Sequence, residues 1–372
     1  MLKISSEQHS VFIFIIKSPI YMEKKKVLFI LKRREDYNVD KHSQIGLSTG
    51  LYNSASFMNQ MLVDSGIESN LVVVTDNNCI DREVTKHKPT HVVIEALWVV
   101  PTKFSVLCKL HPKVKWIIRL HSELPFLSNE GMAMDWIGDY SRFENVYIAA
   151  NAPRALGEVR DFIKSATGLS KKKINEKIFY LPNYYPQDMK HKQYNIDSEY
   201  INVSCFGAVR PLKNHIIQAI AAIKFAEKIG KKLKFHVNGG RIETKGGPVM
   251  NNLMALFFHV SDRGHQLVKH EWTPRNEFLK ICEKMDIGMQ VSFSETFNIV
   301  SADLLSQGVP IVGSKEIPWI SPLSIAEPTE TEKIYKLLLR THWFPQFNVK
   351  TNQCLLNRYT NKSKKIWVKY FS

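Results

Sequence analysis

The apolar residues of this chain follow two alternating patterns. Short runs rich in β-branched residues, typical of buried parallel strands, alternate with segments whose apolar positions follow a helical repeat. In the first half these patterns predict strands at 27–31, 70–75, 91–96, 114–120 and 145–150, and helices at 51–65, 82–87, 103–110 and 153–165. Strand–helix alternation of this kind predicts a doubly wound parallel α/β sheet.

A lysine-rich segment at 166–199, which contains two prolines, interrupts the alternation. We expect it to be an irregular exit from a first domain. The alternation then resumes, with strands predicted at 203–206, 234–237, 266–270, 287–290 and 310–313, and helices at 215–229, 250–260, 274–284, 297–307 and 330–339. The sequence therefore predicts a second domain built in the same way.

The length of 372 residues also favours two domains over one core. We divide the chain into an N-terminal extension at 1–21, Rossmann-like domains at 22–185 and 186–355, and a basic helical tail at 356–372 that packs back on the first domain. Ligands of such folds bind beyond the carboxyl ends of the strands, which places the expected site in the cleft between the domains.

The charge of the chain is far from balanced, with a formal net charge of +16. This excess favours a polyanionic partner, either nucleic acid or an anionic membrane surface, although an inert basic surface is the alternative. The five cysteines are scattered and indicate neither a disulfide framework nor a zinc site, so we expect a reducing, cytoplasmic location. No apolar run reaches the length of a membrane span.

Two carboxylates, Glu295 and Asp303, lie eight positions apart in the second half. Eight residues make a little over two helical turns, so both can point to one side, with Glu295 before a helix and Asp303 within it. Ser294 as N-cap and Glu295 would alternatively form a capping box. Three residues would place their N–H groups at the helix start, a natural site for phosphate or sugar hydroxyls: Thr296, Phe297 and Asn298.

A cationic loop follows the predicted strand 203–206. Gly207 ends this strand, and Arg210 and Lys213 follow at a spacing of three before a predicted helix. An arginine can contact phosphate through two N–H groups at once, and a lysine adds a point charge. Because the pair lies between a strand end and a helix start, we prefer a phosphate site to a solvated loop.

Two further candidates lie in the first half. His121 follows a strongly apolar strand, at whose carboxyl end a ligand would bind, although a lone histidine is often structural. Residues 46–50 read Gly-Leu-Ser-Thr-Gly, which formally matches a nucleophile elbow, but no strand directly precedes the serine. We interpret Gly46 and Gly50 as a loop through which the backbone approaches a ligand.

Three common motifs are missing from the sequence. There is no Asp-x-Asp, the usual carboxylate clamp for a divalent cation on a diphosphate, so we expect no bound metal. There is also no GxGxxG after the first strand and no GxxxxGK[ST]. Dinucleotide dehydrogenases and P-loop enzymes are therefore disfavoured.

Together these motifs resemble those of family-4 glycosyltransferases of the GT-B fold, in which two Rossmann-like domains face each other across a cleft. Residues 206–214 are similar to that family's phosphate-contacting Gly/Arg…Lys segment, and residues 295–312 to its Glu-x7-Glu motif and the Gly-x-Pro-Val-Val that follows. His121 matches its active-site histidine, residues 46–50 its glycine loop and residues 181–183 its Pro-Asn turn. The resemblance covers roughly residues 24–320 in order.

The resemblance implies an enzyme that transfers a sugar from a nucleotide-diphosphate sugar, most commonly a UDP-sugar, to a hydroxyl. It implies retention of the anomeric configuration and no essential metal. Arg210 and Lys213, beside Gly207, would neutralise the departing diphosphate in place of a metal.

The resemblance also implies roles for the remaining candidates. Glu295 and the amides of residues 296–298 would bind the donor sugar, Asp303 the ribose hydroxyls, and His121 the sugar near its reacting carbon. Two positions depart from the family pattern. Asp303 is one methylene shorter than the usual glutamate, and Asn298 stands where glycine is common.

The acceptor is a separate question. The net charge, the lysines near 171–177 and the basic, aromatic tail lead us to expect a hydroxymethylated base in duplex DNA, as in phage-type enzymes of this fold. Such an enzyme would need to extrude the base from the stack. The alternatives are a cell-envelope glycosyltransferase that acts on lipid-linked or polysaccharide acceptors at a membrane surface, and a binding module without catalysis. The intact Arg210, Lys213 and Glu295 set argues against the last.

Overall fold

The computed structural model describes residues 24–33, 49–192, 198–243 and 245–372. The first sheet is made of β1 (Lys26–Lys32), β2 (Glu68–Val74), β3 (His91–Glu95), β4 (Lys115–Leu120), β5 (Val146–Ala150) and β6 (Ile178–Tyr180). Its helices are α1 (Thr49–Val63), α2 (Ile80–His87), α3 (Phe104–Leu110), α4 (Leu124–Leu127), α5 (Ala133–Tyr140), α6 (Pro153–Thr167) and α7 (Lys171–Lys177). All six strands are parallel, in the order β2-β1-β3-β4-β5-β6.

The second sheet is made of β7 (Tyr200–Val209), β8 (Lys232–Ile242), β9 (Gln266–His270), β10 (Ile287–Gln290) and β11 (Ile311–Gly313). Its helices are α8 (His215–Lys228), α9 (Gly247–His259), α10 (Arg275–Glu283), α11 (Ile299–Ser306), α12 (Thr331–Trp343) and α13 (Pro345–Phe371). These strands are also parallel, in the order β11-β10-β7-β8-β9. The order reverses between β7 and β10, and a ligand of such a sheet binds at this point.

The strands bury side chains on both faces of each sheet. In β1, Leu28 and Ile30 pack into one core cluster, whereas Val27 and Phe29 pack into another on the opposite face. Successive side chains of a strand point to opposite faces, so both faces of this sheet are covered. The doubly wound α/β architecture predicted from the sequence is thereby confirmed.

The segment 166–199 is more regular than predicted. It contains α7 and β6, and β6 pairs with β5 at the edge of the first sheet. The side chain of Ser170 caps α7 by accepting a hydrogen bond from the Lys173 amide, while Ile174 and Ile178 are buried in the first core. Residues Lys171, Lys172 and Lys173 are exposed on α7 and conceal its buried Ile174 in the sequence. The short helices α4 and α5 were not predicted either.

Helix α13 connects the two domains. Val349 and Leu356 are buried in a core of the second domain, whereas Trp367 and Phe371 pack against the first sheet. The indole Nε1 of Trp367 also donates to the Pro182 carbonyl at 2.7 Å. The boundary that we placed at residue 356 falls inside this one continuous helix. Neither α13 nor any other helix in the described ranges is long and apolar enough to cross a membrane.

Candidate functional site in the interdomain cleft

The candidate site of the second domain lies where its strand order reverses. The loop after β7 carries Lys213, β10 ends at Gln290, and Glu295 follows in the loop before α11. Parallel strands place their carboxyl ends at one edge, so two segments far apart in sequence meet there. The structure brings together the cationic loop and the first carboxylate of the sequence-predicted site.

A buried ion pair joins these two segments. The Nζ atom of Lys213 lies 2.5 Å from Oε1 of Glu295, and each residue is 8% exposed. The amide oxygen of Gln290 lies 3.5 Å from the same ammonium group. Buried charges are costly unless they are paired, so an approaching anion would meet a lysine that is already desolvated and held in place.

Gly207 makes room for this lysine. Its φ of +109° lies in a region that residues with a Cβ rarely adopt. A Cβ there would lie 3.7 Å from Nζ of Lys213, so the glycine backbone passes directly beside the ammonium group. Its N–H donates to the side-chain oxygen of Asn238 at 2.7 Å. Strand β7 continues to Val209, so Gly207 lies within the strand and does not end it as predicted.

Arg210 reaches across the cleft. Its guanidinium lies over the ring of Phe126 of the first domain, with 4.4 Å between Cζ and the ring centroid, and donates to Glu243 at 3.0 Å. Its Nε is buried and has no hydrogen-bond partner in the described part of the chain. The guanidinium thus retains an unsatisfied donor for a ligand oxygen.

The start of α11 is set by Asn298, which corrects the capping box considered for Ser294 and Glu295. Asn298 has φ +57°, and its side-chain oxygen accepts from the Ser301 amide at 2.8 Å as the N-cap. The helix begins at Ile299, so residues 296–298 form the turn before it. Asparagine tolerates the left-handed conformation better than most residues, which explains how it occupies a position where glycine is common.

The turn before α11 also contacts the first domain. The hydroxyl of Thr296 donates to the backbone oxygen of His121 at 3.0 Å and accepts from the side-chain amide of Asn151 at 3.1 Å. The Phe297 ring is 2% exposed and packs in the core, and its carbonyl accepts from Trp319 Nε1. Any ligand contact of Phe297 is therefore confined to its backbone N–H.

Asp303, the second carboxylate, lies in a buried cluster of its own. Oδ1 of Asp303 accepts from the Tyr185 hydroxyl at 2.7 Å and from Arg275 at 3.0 Å. Burial raises the pKa of Asp303, although Arg275 and Tyr185 oppose this shift by stabilising the charged form. The sequence did not indicate these two partners, because each lies in a segment remote from α11.

A cavity opens beside Asp303. Its volume is about 410 Å³, including its open mouth, and its lining includes Gly50 at the start of α1. A Cβ at Gly50 would lie 3.7 Å from Ile299, so the first domain approaches α11 closely here. Gly46 lies outside the described residues. Three lining atoms are buried without a hydrogen-bond partner in the described ranges: Trp272 Nε1, Thr273 Oγ1 and Arg275 Nε.

His121 of the first domain is held by a buried carboxylate. Nε2 of His121 contacts Oε2 of Glu95, which also accepts from Arg119 at 3.0 Å. Glu95 and Arg119 are fully buried. Burial opposes ionisation of Glu95, but the charge of Arg119 and the hydrogen bonds from His121 and Arg119 keep its pKa below the ordinary value. Burial also lowers the pKa of His121, although Glu95 opposes this shift. The neutral imidazole is therefore favoured.

The Pro-Asn turn at 181–183 completes this network. Arg119 donates to the Leu181 carbonyl at 3.0 Å and to the Asn183 side chain at 2.5 Å. Asn151 donates to the same Asn183 oxygen and to Thr296 of the second domain. Glu95 and Asn151 were missed in the sequence, although each lies at or just after the carboxyl end of a strand, the rule that identified His121.

A second charged cluster joins the domains near His121. Arg154 of the first domain contacts Glu123 of its own domain and Glu316 of the second domain. The hydroxyl of Ser294, in the second domain, donates to Glu123 at 3.4 Å. Burial raises the pKa of Glu123 to about 7, while Arg154 opposes the shift. In the described part of the chain, no group of three or more His, Cys, Asp or Glu side chains could hold a metal ion.

Solved structures share this architecture. A sucrose-phosphate synthase from Thermosynechococcus elongatus is 10% identical, with a TM-score of 0.64 over 90% of this chain and 94% of that one. An α,α-trehalose-phosphate synthase (UDP-forming) from Burkholderia vietnamiensis is 10% identical, with a TM-score of 0.66 over 93% and 96%. An E. coli structure described as trehalose-6-phosphate bound with UDP-2-fluoro glucose is 9% identical, with a TM-score of 0.64 over 93% and 98%.

This likeness confirms the GT-B fold expected from the sequence. No family model and no curated protein sequence matches the chain.

Glu123 makes stability depend on pH. Its folded pKa of about 7 lies above the ordinary 4.5, so the folded state holds the proton more tightly and loses stability as pH rises through this window. Relative to Glu123→Gln, the wild-type protein should lose roughly 1–2 kcal/mol between pH 5 and 7.5, since one pKa unit is worth ~1.4 kcal/mol and Arg154 is half-exposed. Thermal unfolding midpoints of both proteins across this range measure the difference.

The matched control is Glu158→Gln, which removes a more exposed carboxylate 3.7 Å from the same arginine. Its difference from wild type should change much less with pH, because Glu158 is the weakest of the groups that shift the pKa of Glu123. A constant difference between wild type and Glu123→Gln from pH 5 to 7.5 would show that Glu123 titrates normally.

Proposed function

We propose that this chain is a retaining glycosyltransferase that moves a sugar from a nucleotide-diphosphate sugar, with UDP as the leaving group, to a hydroxyl acceptor. The observation that carries the proposal is the buried Lys213–Glu295 pair at the strand-order reversal of the second sheet. It places a fixed cation and a fixed carboxylate side by side in the cleft. A sugar diphosphate needs these two groups, one for its phosphates and one for its hydroxyls.

The cations stabilise the leaving group. As the bond between the anomeric carbon and the diphosphate oxygen breaks, negative charge grows on the diphosphate. Lys213 and the free Nε of Arg210 are the donors for this charge, and a preorganised donor in a desolvated site is worth several kcal/mol in the transition state. The Gly207 backbone lets the phosphates come close to Lys213. The acceptor oxygen then bonds to the anomeric carbon on the face that the diphosphate leaves, and its proton passes to the departing diphosphate oxygen.

Other groups position the donor. Glu295, released from Lys213 by the incoming phosphate, binds sugar hydroxyls together with the amides of residues 296–298. His121 faces the cleft from the other domain and contacts the sugar near its reacting carbon. The cavity beside Asp303 takes the nucleoside, with the unpaired donors of Trp272 and Arg275 available to its base.

Asp303 takes the part that the resemblance implied, binding of the ribose hydroxyls, but together with Arg275. Its Oδ1 accepts two hydrogen bonds, from Tyr185 and Arg275, so only the rest of the carboxylate is available to a ribose hydroxyl. Arg275 occupies the space next to the Asp303 carboxylate, whose side chain is shorter than that of the usual glutamate. Asp303 and Arg275 therefore contact the nucleoside as a pair.

For the acceptor we favour a phosphorylated sugar. Two structures that share the fold are named as a sucrose-phosphate synthase and an α,α-trehalose-phosphate synthase (UDP-forming). In this chain the exposed Lys245 reaches across the cleft to the neutral Asn129, so a cation is available at its rim. The hydroxymethylated DNA base that the charge led us to expect gains no support from the fold, and it forms a second arm of the test.

The test is release of UDP from UDP-sugars in the presence of EDTA. Acceptors would be hexose 6-phosphates, the free hexoses and hydroxymethylcytosine DNA, and we expect turnover with a hexose phosphate. Lys213→Ala and Glu295→Ala should each lower turnover about 100- to 1,000-fold, the usual cost of removing a transition-state donor. The control Lys224→Ala removes a half-exposed lysine that pairs with Glu332 outside the cleft, and it should remain active.

Loss of folding must be separated from loss of function in this test. Removing one partner of a buried pair strands the other charge and destabilises by about 3–5 kcal/mol. The double variant Lys213→Ala/Glu295→Gln removes both charges, so it should regain part of the unfolding midpoint and remain inactive. An active double variant, or a wild-type protein that releases UDP from no donor with any acceptor, refutes the proposal.

Glu95 should act as a positioning residue for His121. In Glu95→Gln the imidazole loses its charged anchor, and misplacement by about 1 Å commonly costs up to ~100-fold in kcat. We expect kcat to fall about 10- to 100-fold, while KM for the donor changes little, because the phosphate contacts of Lys213 remain. Steady-state kinetics separate the two constants.

The control is Glu227→Gln, which removes a carboxylate beside another histidine, His265, which directly precedes β9 and accepts from the Leu233 amide of β8. It should leave both constants unchanged. In Glu95→Gln, a rise of KM for the donor with unchanged kcat would assign Glu95 to donor binding and contradict the positioning role.

A further inference from the structure

One side of α13 is basic along its whole length. The helix has 27 residues and is therefore about 40 Å long. Its buried side contains Val349, Leu356, Trp367 and Phe371. The opposite side exposes basic residues at spacings of three, four, seven or eight, which places them in one row: Lys350, Arg358, Lys362, Lys365 and Lys369.

The charge of this row is not compensated. Glu332 is the last acidic residue of the chain, so α13 carries no carboxylate side chain at all. None of the five basic residues takes part in an ion pair within the described ranges. Elsewhere on the surface, exposed lysines such as Lys224 and Lys280 are paired with glutamates. The row therefore gives this side of the protein a positive potential.

Large aromatic side chains lie at the amino end of the row. Trp343 is 67% exposed, Phe344 63% and Phe347 59%, and Leu323 beside them is 47% exposed. Phe347 precedes Lys350 by three positions and lies on the same side of α13. Three adjacent aromatic residues left in water are unusual for the surface of a soluble domain and mark an interaction site. Trp343, Phe344, Phe347 and the five basic residues form what we call the basic-aromatic face.

The presence of both aromatic rings and basic residues on this face distinguishes between possible partners. Duplex DNA would use the lysines, but its bases are stacked, so the three aromatic rings would stay in water. A second copy of the chain would bring two uncompensated positive rows together, at a cost of several kcal/mol. An anionic bilayer uses both parts, because aromatic rings lie well at the depth of the headgroups and lysines are attracted to acidic lipids.

We infer that the basic-aromatic face docks this protein on an anionic lipid bilayer. Trp343, Phe344 and Phe347 enter the headgroup region, and the row of lysines lies along the surface behind them. Because the buried side of α13 packs against both domains, the docked helix holds both domains on the membrane. This inference goes beyond the proposed function and does not depend on it.

The test is co-sedimentation of the full chain with vesicles. We expect binding to phosphatidylcholine vesicles that contain phosphatidylglycerol to be at least ~10-fold tighter than to phosphatidylcholine alone, and to weaken at high salt. The charge reversal Lys350→Glu/Lys362→Glu/Lys365→Glu should lower binding at least ~10-fold. Trp343→Ala/Phe347→Ala should also lower it, because burial of the rings contributes to binding.

Matched controls carry the same changes elsewhere. Lys171→Glu/Lys172→Glu/Lys173→Glu reverses three exposed lysines of α7, and Phe258→Ala removes a ring that is 76% exposed on α9. Both should bind like wild type. Brominated lipids should quench part of the tryptophan fluorescence of wild type but not of Trp343→Phe, which places this residue in the headgroup region.

Three results would overturn the inference. The first is equal or absent binding to the two kinds of vesicle. The second is an equal loss of vesicle binding in the α7 control, which would show that binding depends only on the net charge of the protein. The third is binding of duplex DNA, or formation of a dimer, that the face variants abolish while vesicle binding is missing.

Discussion

The buried pair of Lys213 and Glu295 is the contact on which the arrangement of the candidate site depends. It joins the loop after β7 to the loop after β10, so it fixes the two segments that flank the reversal of strand order. Two charges at 8% exposure are tolerated because they lie 2.5 Å apart. The backbone of Gly207, with its positive φ, passes directly beside the ammonium group. The pair therefore brings a buried cation and a buried carboxylate together from two distant parts of the sequence.

The same network continues across the cleft. Thr296, one residue after Glu295, forms hydrogen bonds with the backbone oxygen of His121 and with the Asn151 side chain. Asn151 in turn donates a hydrogen bond to Asn183, which lies beside Arg119. These hydrogen bonds link the segment that carries Glu295 to the first domain. Helix α13 supports the arrangement from behind, because its aromatic end packs under the first sheet.

Much of the fold and part of the candidate site were predictable from the sequence, for physical reasons. Parallel strands buried on both faces leave continuous apolar runs, so the strand order along the chain was recognisable and the carboxyl-end residues His121, Lys213 and Glu295 were identified. The partners of Asp303 were not, because Arg275 and Tyr185 reach it from remote segments and no local pattern marks them. The left-handed turn at Asn298 explains why the helix starts later than predicted. A lysine-rich sequence likewise concealed α7, in which Ile174 is the single apolar residue.

The central claim is that the Lys213–Glu295 pair is the anion half of a nucleotide-sugar site that works without a metal. Isothermal titration of UDP into the protein in EDTA tests it most directly. The account predicts one site per chain, with affinity reduced at least ~10-fold in Lys213→Ala and unchanged in Lys224→Ala. Absence of UDP binding to the wild-type protein, or binding that Lys213→Ala leaves intact, would contradict it.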